Sequence, residues 1–385
     1  MKILIIKLSA IGDVIHTLPA LALLRHSFPE SSLTWVVEEK AAGIVVGHPH
    51  LEKVIVSGRK RWMRYLAKPT RWYATAKEAI SFIRDLRSET YDLVIDFQGL
   101  FKSAILVLLS RGAYKVGYGK TRELSYLALT HRIDPPPAEA HAVDKNISLV
   151  HALLKLAEVS GSGCRAHNQD AWQCPGTAGS RSTTLTEKDS GSKDGLVVPG
   201  EKEKERVDAL LRSNRIDPSK PLILVNAPAG WETKRWDAKK MAALSDRLMS
   251  TYNAHLMYTG TAGDCSYIDG IISHMHCPAV NAAGRTSLKE LACLIDTARL
   301  FVTTDSGPMH LAAAVGTPIV ALFGPTAPWR TGPYTTRARI VRKQVSCSPC
   351  YKRKCDSMIC MNGIGVDEVM EAAATFMRTS AAQVI

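Results

Sequence analysis

An α/β chain built as two parallel-sheet units is what this sequence predicts, and three observations predict it. Apolar runs of strand length alternate with helical stretches in both halves of the chain, the pattern of right-handed βαβ crossovers. The 385 residues exceed one ordinary open sheet and suit two domains of usual size. Between the halves, residues 160–195 are rich in Ser, Gly, Thr and Asp with almost no apolar periodicity, which reads as a flexible linker or surface insertion.

The first half opens on a near-continuous apolar run at 2–8 (KILIIKL), as a parallel strand covered on both faces requires. A helix is expected over 13–26, with Pro19 either kinking it or marking its true first turn. Strands are expected at 32–37 (SLTWVV), 54–56 and 93–96 (LVID), with a long helical stretch over 70–88 between the last two. The second half restarts the alternation. Its strands are expected at 222–226 (LILVN), 255–258 (HLMY), 300–304 (LFVTT) and 319–323 (IVALF). Helices are expected at 237–251, 287–297, 308–315 and 366–378. The expected division is therefore 1–159, a linker or insertion at 160–195, and 196–385.

A composition of 46% hydrophobic and 22% charged residues excludes global disorder. The net charge of +13 favours an anionic partner: phosphate, nucleic acid or an acidic membrane face. No helix-turn-helix, zinc-finger or RNA-recognition signature accompanies it, so no nucleic-acid partner is expected. The N-terminus, MKILIIKLSAIGD, reads as a first strand rather than an export signal, because Lys7 breaks the apolar run and no small-residue cleavage site follows. No window approaches the roughly 20 apolar residues of a spanning helix. A cytoplasmic protein, peripheral to a membrane, is the expectation, with its nine cysteines reduced.

Five segments carry candidate chemistry. In Thr303-Thr304-Asp305-Ser306-Gly307-Pro308-Met309-His310 a strand ends, a Gly-containing turn follows and a helix begins with Pro308 in its first turn. Ser306 or Asp305 can cap that helix, and its free N–H groups form a natural seat for a diphosphate; the plainer reading is an ordinary capped helix. Lys234, in WETKRW after the LILVN strand, is placed to meet a phosphate leaving group or to be a solvated loop lysine. Asp13, in SAIGD after the first strand, is placed to act as a general base or simply to cap its helix. That segment is not a GxGxxG fingerprint, which disfavours a dinucleotide oxidoreductase. The run Gly58-Arg59-Lys60-Arg61-Trp62-Met63-Arg64 suits phosphates or an anionic membrane surface, the plainer reading being a solvated loop. Cys347, Cys350, Cys355 and Cys360 form a C-x2-C-x4-C-x4-C series that matches no firm metal signature, and a reduced, metal-free cluster is expected.

Taken together, the blocks KLSAIGDVIHTLPAL (7–21), WVVEE (35–39), RKRW (59–62), VIDFQGLFKSA (94–104), KTRE (120–123), HAVD (141–144), KRW (234–236) and TTDSGPMHLAAAVGTP (303–318) resemble the ADP-heptose:lipopolysaccharide heptosyltransferases of glycosyltransferase family 9. Within the family the resemblance is nearest to the heptosyltransferase I type. It implies a GT-B fold, two Rossmann-like domains facing a central cleft, with the acceptor on the N-terminal domain and the nucleotide sugar on the C-terminal one. It implies an inverting transfer of L-glycero-D-manno-heptose from ADP-heptose to the Kdo-lipid A inner core, with Asp13 as base and Lys234 on the donor diphosphate. Thr304, Asp305, Ser306, Gly307 and His310 are then expected at the donor. Arg59, Lys60, Arg61, Arg64 and Arg122 are expected at the phosphates and carboxylates of the acidic glycolipid, with Gln98 and Lys102 lining the acceptor side. No cofactor is expected, since no DxD-like pair stands out as a metal site. Residues 226–230 (NAPAG) lack adjacent threonines associated with the heptosyltransferase I type, and the Cys-rich tail is more like that of II-type members. Four alternatives remain: a later-acting transferase using an already heptosylated core, a sugar-nucleotide 2-epimerase, a charge-driven binding protein without turnover, and a family member that keeps the fold without the activity.

Overall fold

The computed structural model describes residues 1–121, 123–161, 197 and 199–378, with side chains outside 157–161. The chain divides into two compact units, Met1–Ser190 and Gly191–Ile385.

In the first unit the strands are β1 (Lys2–Ile6), β2 (Ser32–Glu38), β3 (Lys53–Ser57), β4 (Thr90–Asp96), β5 (Arg111–Tyr118) and β6 (His131–Ile133). The helices between and after them are α1 (Ile11–Ile15), α2 (Leu18–Ser27), α3 (Glu39–Val45), α4 (Arg59–Tyr65), α5 (Trp72–Leu86), α6 (Phe101–Leu109) and α7 (Ala142–Gly161). The strands form one parallel sheet in the order β3-β2-β1-β4-β5-β6. Ile3, Leu4, Ile5 and Ile6 in central β1 are fully buried, which is why the run has no polar alternation. On one face of the sheet, Phe82 and Leu86 of α5 join Ala104, Leu106 and Val107 of α6 in a single core with Leu4, Ile6, Val36 and Val94.

The helix expected over 13–26 is two helices. Pro19 lies in the first turn of α2, where its missing N–H costs nothing. The break is held by side chains: the Thr17 hydroxyl donates to the Asp13 carbonyl at 2.8 Å, and the Asn146 amide of α7 donates to the His16 carbonyl and the Thr17 hydroxyl, each at 3.0 Å. The stretch expected at 70–88 begins as a single 3₁₀ turn at Pro69–Arg71 before α5. The basic run after Gly58, whose plainer reading was a solvated loop, is helix α4.

The second unit repeats the design. Its strands are β7 (Leu222–Asn226), β8 (His255–Tyr258), β9 (Val280–Asn281), β10 (Leu300–Thr304), β11 (Ile319–Phe323) and β12 (Ala338–Arg342). Its helices are α8 (Glu201–Ser213), α9 (Ala238–Tyr252), α10 (Cys265–Ile272), α11 (Leu288–Thr297), α12 (Gly307–Val315), α13 (Pro328–Thr331), α14 (Ile359–Asn362) and α15 (Val366–Met377). The parallel sheet runs β12-β11-β10-β7-β8-β9. Caps fix the helix starts: the Asp237 carboxylate accepts from the Lys240 N–H at 2.9 Å, and Ser287 and Glu290 cap α11 reciprocally. Gly316, at φ +80°, ends α12 in the left-handed conformation.

Counted from its own first strand, each sheet has the doubly wound order 3-2-1-4-5-6. Strand order reverses between β1 and β4 in the first unit and between β7 and β10 in the second. Ligands of such sheets bind beyond the strand carboxyl ends at this switch point. Of the expected linker, only the two residues that finish α7 fall within the described residues.

Candidate active site

At the second unit's switch point β7 ends in Asn226 and β10 in Thr304. Lys234, in a one-turn 3₁₀ helix (Glu232–Lys234), places Nζ 2.7 Å from Asp305 Oδ2, with both side chains largely withdrawn from solvent. Its ammonium also lies over the Trp231 ring, 4.4 Å from the centroid, and the Arg353 guanidinium covers the same ring at 5.0 Å. Thr326 donates to Asp305 Oδ2 at 2.6 Å and fixes the carboxylate. Asp305 is therefore not a helix cap. Ser306 occupies the N-cap position of α12, but its side chain makes no bond to the first turn. Its hydroxyl instead accepts from Asn226 Nδ2 at 3.1 Å. The leading N–H groups of α12 thus have no side-chain cap, and the helix presents its positive end beside Lys234. Thr304 is fully buried, donating to the Pro228 carbonyl at 3.2 Å. Gly307 opens α12, and His310 is buried one turn along it.

At the first unit's switch point the loop after β1 meets the loop after β4. Gln98 Oε1 accepts from the Leu8 and Ser9 N–H groups at 3.0 and 3.1 Å, pinning the β1–α1 loop. Asp13, half-buried in α1, accepts from the Ala10 N–H at 2.9 Å, so it caps its own helix start and presents its carboxylate at the same loop. Lys7 is buried and donates to the Phe97 carbonyl at 2.8 Å. Burial pushes its ammonium below the usual lysine range against the pull of the Asp13 and Asp96 charges. Burial pushes the Asp96 carboxyl up, against hydrogen bonds from the Gly99 N–H, the Ser103 hydroxyl and the Gln98 N–H.

Three of the four basic residues of α4 are held in ion pairs. Glu38, closing β2 at 2% exposure, takes Arg59 on Oε1 at 2.8 Å and Lys60 on Oε2 at 3.0 Å, with Lys102 of α6 3.5 Å away. Burial raises the Glu38 carboxyl, but the Arg59 and Lys60 bonds and the Lys102 charge outweigh it and leave it below the usual range. Lys102 also donates to the Ser9 hydroxyl at 2.5 Å, and burial lowers its ammonium. Arg61 pairs with Glu39 and Glu78, while Arg64 is exposed. Arg122 lies outside the described residues. Glu38 thus gathers Arg59, Lys60 and Lys102 beside Ser9, whereas Arg61 and Arg64 are not part of this cluster.

Residues 79–359 match glycosyltransferase family 9 (heptosyltransferase). The chain belongs to this family. It is 29% identical over 357 residues to lipopolysaccharide heptosyltransferase 1 of Pseudomonas aeruginosa, covering 92% of this chain and 87% of that one. Its fold is similar to the solved E. coli ADP-heptose lps heptosyltransferase II, at TM-score 0.70 and 21% identity over 99% and 100% of the two chains. It is also similar to E. coli heptosyltransferase WaaC with ADP, at TM-score 0.64 and 23% identity over 88% and 92%. Membership in family 9 makes this an α/β GT-B glycosyltransferase and removes the reason to favour an epimerase or a binding protein without turnover.

In this family 9 chain the four tail cysteines differ in exposure. Cys347 and Cys355 are exposed, Cys350 is half-buried and Cys360 packs in the core. Among the described residues, no group of three or more His, Cys, Asp or Glu is placed to hold a metal ion. The tail instead braces the Lys234 turn, since the Thr233 hydroxyl donates to the Lys352 carbonyl at 2.8 Å. Sequence reasoning assigned no role to Lys7, Glu38, Asp96, Asn226, Trp231 or Arg353. A signal existed for the first three: each is a charge at the end of an apolar strand run, where burial demands a partner.

Proposed function

We propose that this glycosyltransferase moves L-glycero-D-manno-heptose from ADP-heptose to the Kdo-lipid A inner core of lipopolysaccharide, with inversion at the anomeric carbon. The observation that carries this reading is the Lys234–Asp305 pair at the second sheet's switch point, beside a helix start with no side-chain cap. A diphosphate is the ligand that such a cation and such N–H groups complement. The donor phosphates take over the Lys234 ammonium, and Thr304, Asp305, Ser306, Gly307 and His310 surround the donor. On the first unit Asp13 accepts the proton of the acceptor hydroxyl as that oxygen bonds to the anomeric carbon. The bond from that carbon to the phosphate oxygen breaks, and ADP leaves with the electron pair. Lys234 and the α12 start stabilise the charge that develops on it, a contribution that is commonly the largest in such reactions. Arg59, Lys60 and Lys102, held by Glu38, meet the anionic groups of the glycolipid together with Arg61, Arg64 and Arg122, and Gln98 sets the loop that carries Asp13.

A curated relative 29% identical to this chain carries the name lipopolysaccharide heptosyltransferase 1, which supports the heptose-free acceptor. No helix among the described residues is long and apolar enough to cross a membrane, and a peripheral place on the cytoplasmic face of the acceptor's membrane fits the basic surface. The test is transfer from ADP-heptose to heptose-free Kdo-lipid A, read by mass spectrometry. Addition of one heptose is expected. Transfer only to an acceptor that already carries heptose overturns the acceptor assignment, and donor conversion without any acceptor overturns the reaction.

A further inference from the structure

Beyond the α4 cations already assigned to the acceptor, the outer surface of α5 and α6 takes no part in this chemistry. Residues 59–87 contain nine Lys and Arg against two acids, Glu78 and Asp85, so these twenty-nine residues carry +7 of the chain's +13. Among the described residues, ion pairs to Glu38, Glu39 and Glu78 take up only Arg59, Lys60 and Arg61 of these. Arg64, Lys68, Arg71, Lys77, Arg84 and Arg87 are exposed. The same stretch exposes large apolar side chains. Helix α5 buries Thr75, Phe82 and Leu86 toward the sheet. On its outer side Trp72 and Ile80 are 56% and 57% exposed, Tyr73 is 84% exposed, and Ile83 is 36% exposed. At 100° per residue these four lie in one stripe, bordered by Lys77 and Arg84, with Arg87 following the last turn on the same stripe. Glu78 and Asp85, seven apart, fall on a different stripe, and Glu78 is turned to Arg61 and Trp62.

Helix α6 covers the same face of the sheet as α5, and it too is apolar outside: Phe101, Ile105 and Leu108, spaced i, i+4, i+7, are 63%, 42% and 63% exposed. Isolated exposed apolar residues need no explanation, but a clustered set on one face does.

We propose that this outer face of α4, α5 and α6 docks on an anionic phospholipid bilayer, with the apolar stripe entering the headgroup boundary and the cations meeting lipid phosphates. A large apolar face rimmed by Lys and Arg with interfacial Trp and Tyr is what such surfaces select. A second copy of the chain fits poorly, because facing copies bring +7 against +7. The inference deepens the reading above, in which the acceptor is held in a membrane.

The test is co-sedimentation of the full chain with vesicles of phosphatidylcholine alone or mixed with phosphatidylglycerol, at about 0.1 M salt, where exposed charges still act over roughly 10 Å. About tenfold stronger binding to the anionic vesicles is expected, from several cations each acting on the charged surface. Ile80→Glu/Ile83→Glu and Lys77→Glu/Arg84→Glu should each lower that binding about tenfold or more. Both variants change exposed positions, so the thermal midpoint and transfer to detergent-solubilised acceptor should stay as in the parent. Equal binding to neutral vesicles, undiminished binding by both variants, or a dimer that the isoleucine variant dissolves without any vesicle binding would overturn the proposal. The vesicles contain no acceptor, so a chain that binds them as described but transfers no heptose upholds the surface and refutes the activity.

Discussion

Lys234 and Asp305 hold each other at 2.7 Å with little exposure to water, so removing either one strands a charge. Lys234→Ala is expected to lower kcat by about 10²- to 10³-fold through the lost leaving-group stabilisation. It should also cost about 3 kcal/mol of stability by leaving Asp305 unpaired, measured by steady-state kinetics and urea unfolding. Glu38 makes a prediction with a pH sign. Its folded carboxyl lies below the usual 4.5, so its stabilising contribution is complete above about pH 4.5 and drains away as pH falls through the lower folded value. Glu38→Gln should therefore cost about 3 kcal/mol at neutral pH, a difference that shrinks in acid, as urea unfolding across that range would record. Asp13 and Lys234 were singled out in the sequence because each follows a strongly apolar strand, where polar residues reach the sheet's carboxyl edge, but only the family resemblance set them above a plain helix cap and a solvated loop lysine. Their partners were not. Asp305 lies 71 positions from Lys234 and Glu38 lies 64 from Lys102, and no local pattern encodes such pairings. Lys7 showed only as an interruption of an apolar run.

Elements were legible where burial was two-sided or a cap was explicit. β7, β10 and β11 stand where their apolar runs placed them, β1 ends two residues before its run does, and α9 and α11 start where Asp237 and Ser287 cap them. β5, β6, β9 and β12 went unread, because they are short, glycine-bearing or half-exposed toward the sheet edges. The basic run of α4 was read with a solvated loop as its alternative, since no residue of that helix is fully buried; its order comes from ion pairs to distant acids. Helix α12 matters because the proposed donor site is built on its start. Gly316 ends it at φ +80°, a conformation that costs a side-chain-bearing residue about 1 kcal/mol. Gly316→Ala should therefore lower the unfolding free energy by about that amount, seen as a lower urea midpoint, while the KM for ADP-heptose stays near that of the parent.

At the scale of the molecule, one strand order is used twice. Each sheet reverses direction at its own switch point, and each switch point gathers different chemistry. The first has an aspartate, a pinned loop and cations collected by one buried carboxylate; the second has a lysine–aspartate pair and a helix start. The overall +13 charge was legible from composition alone, but its concentration on the outer helices of one unit became visible only once those helices were placed on one face of the sheet. In the proposed reaction deprotonation belongs to the first unit and donor binding to the second, and Asp13→Asn separates the two. The measurement to make is the single-turnover rate of heptose transfer by this variant, alongside its calorimetric affinity for ADP. A fall of about 10²- to 10⁴-fold in rate with unchanged ADP affinity is the expected result for a lost general base; a rate near that of the parent, or a parallel loss of ADP binding, would contradict it.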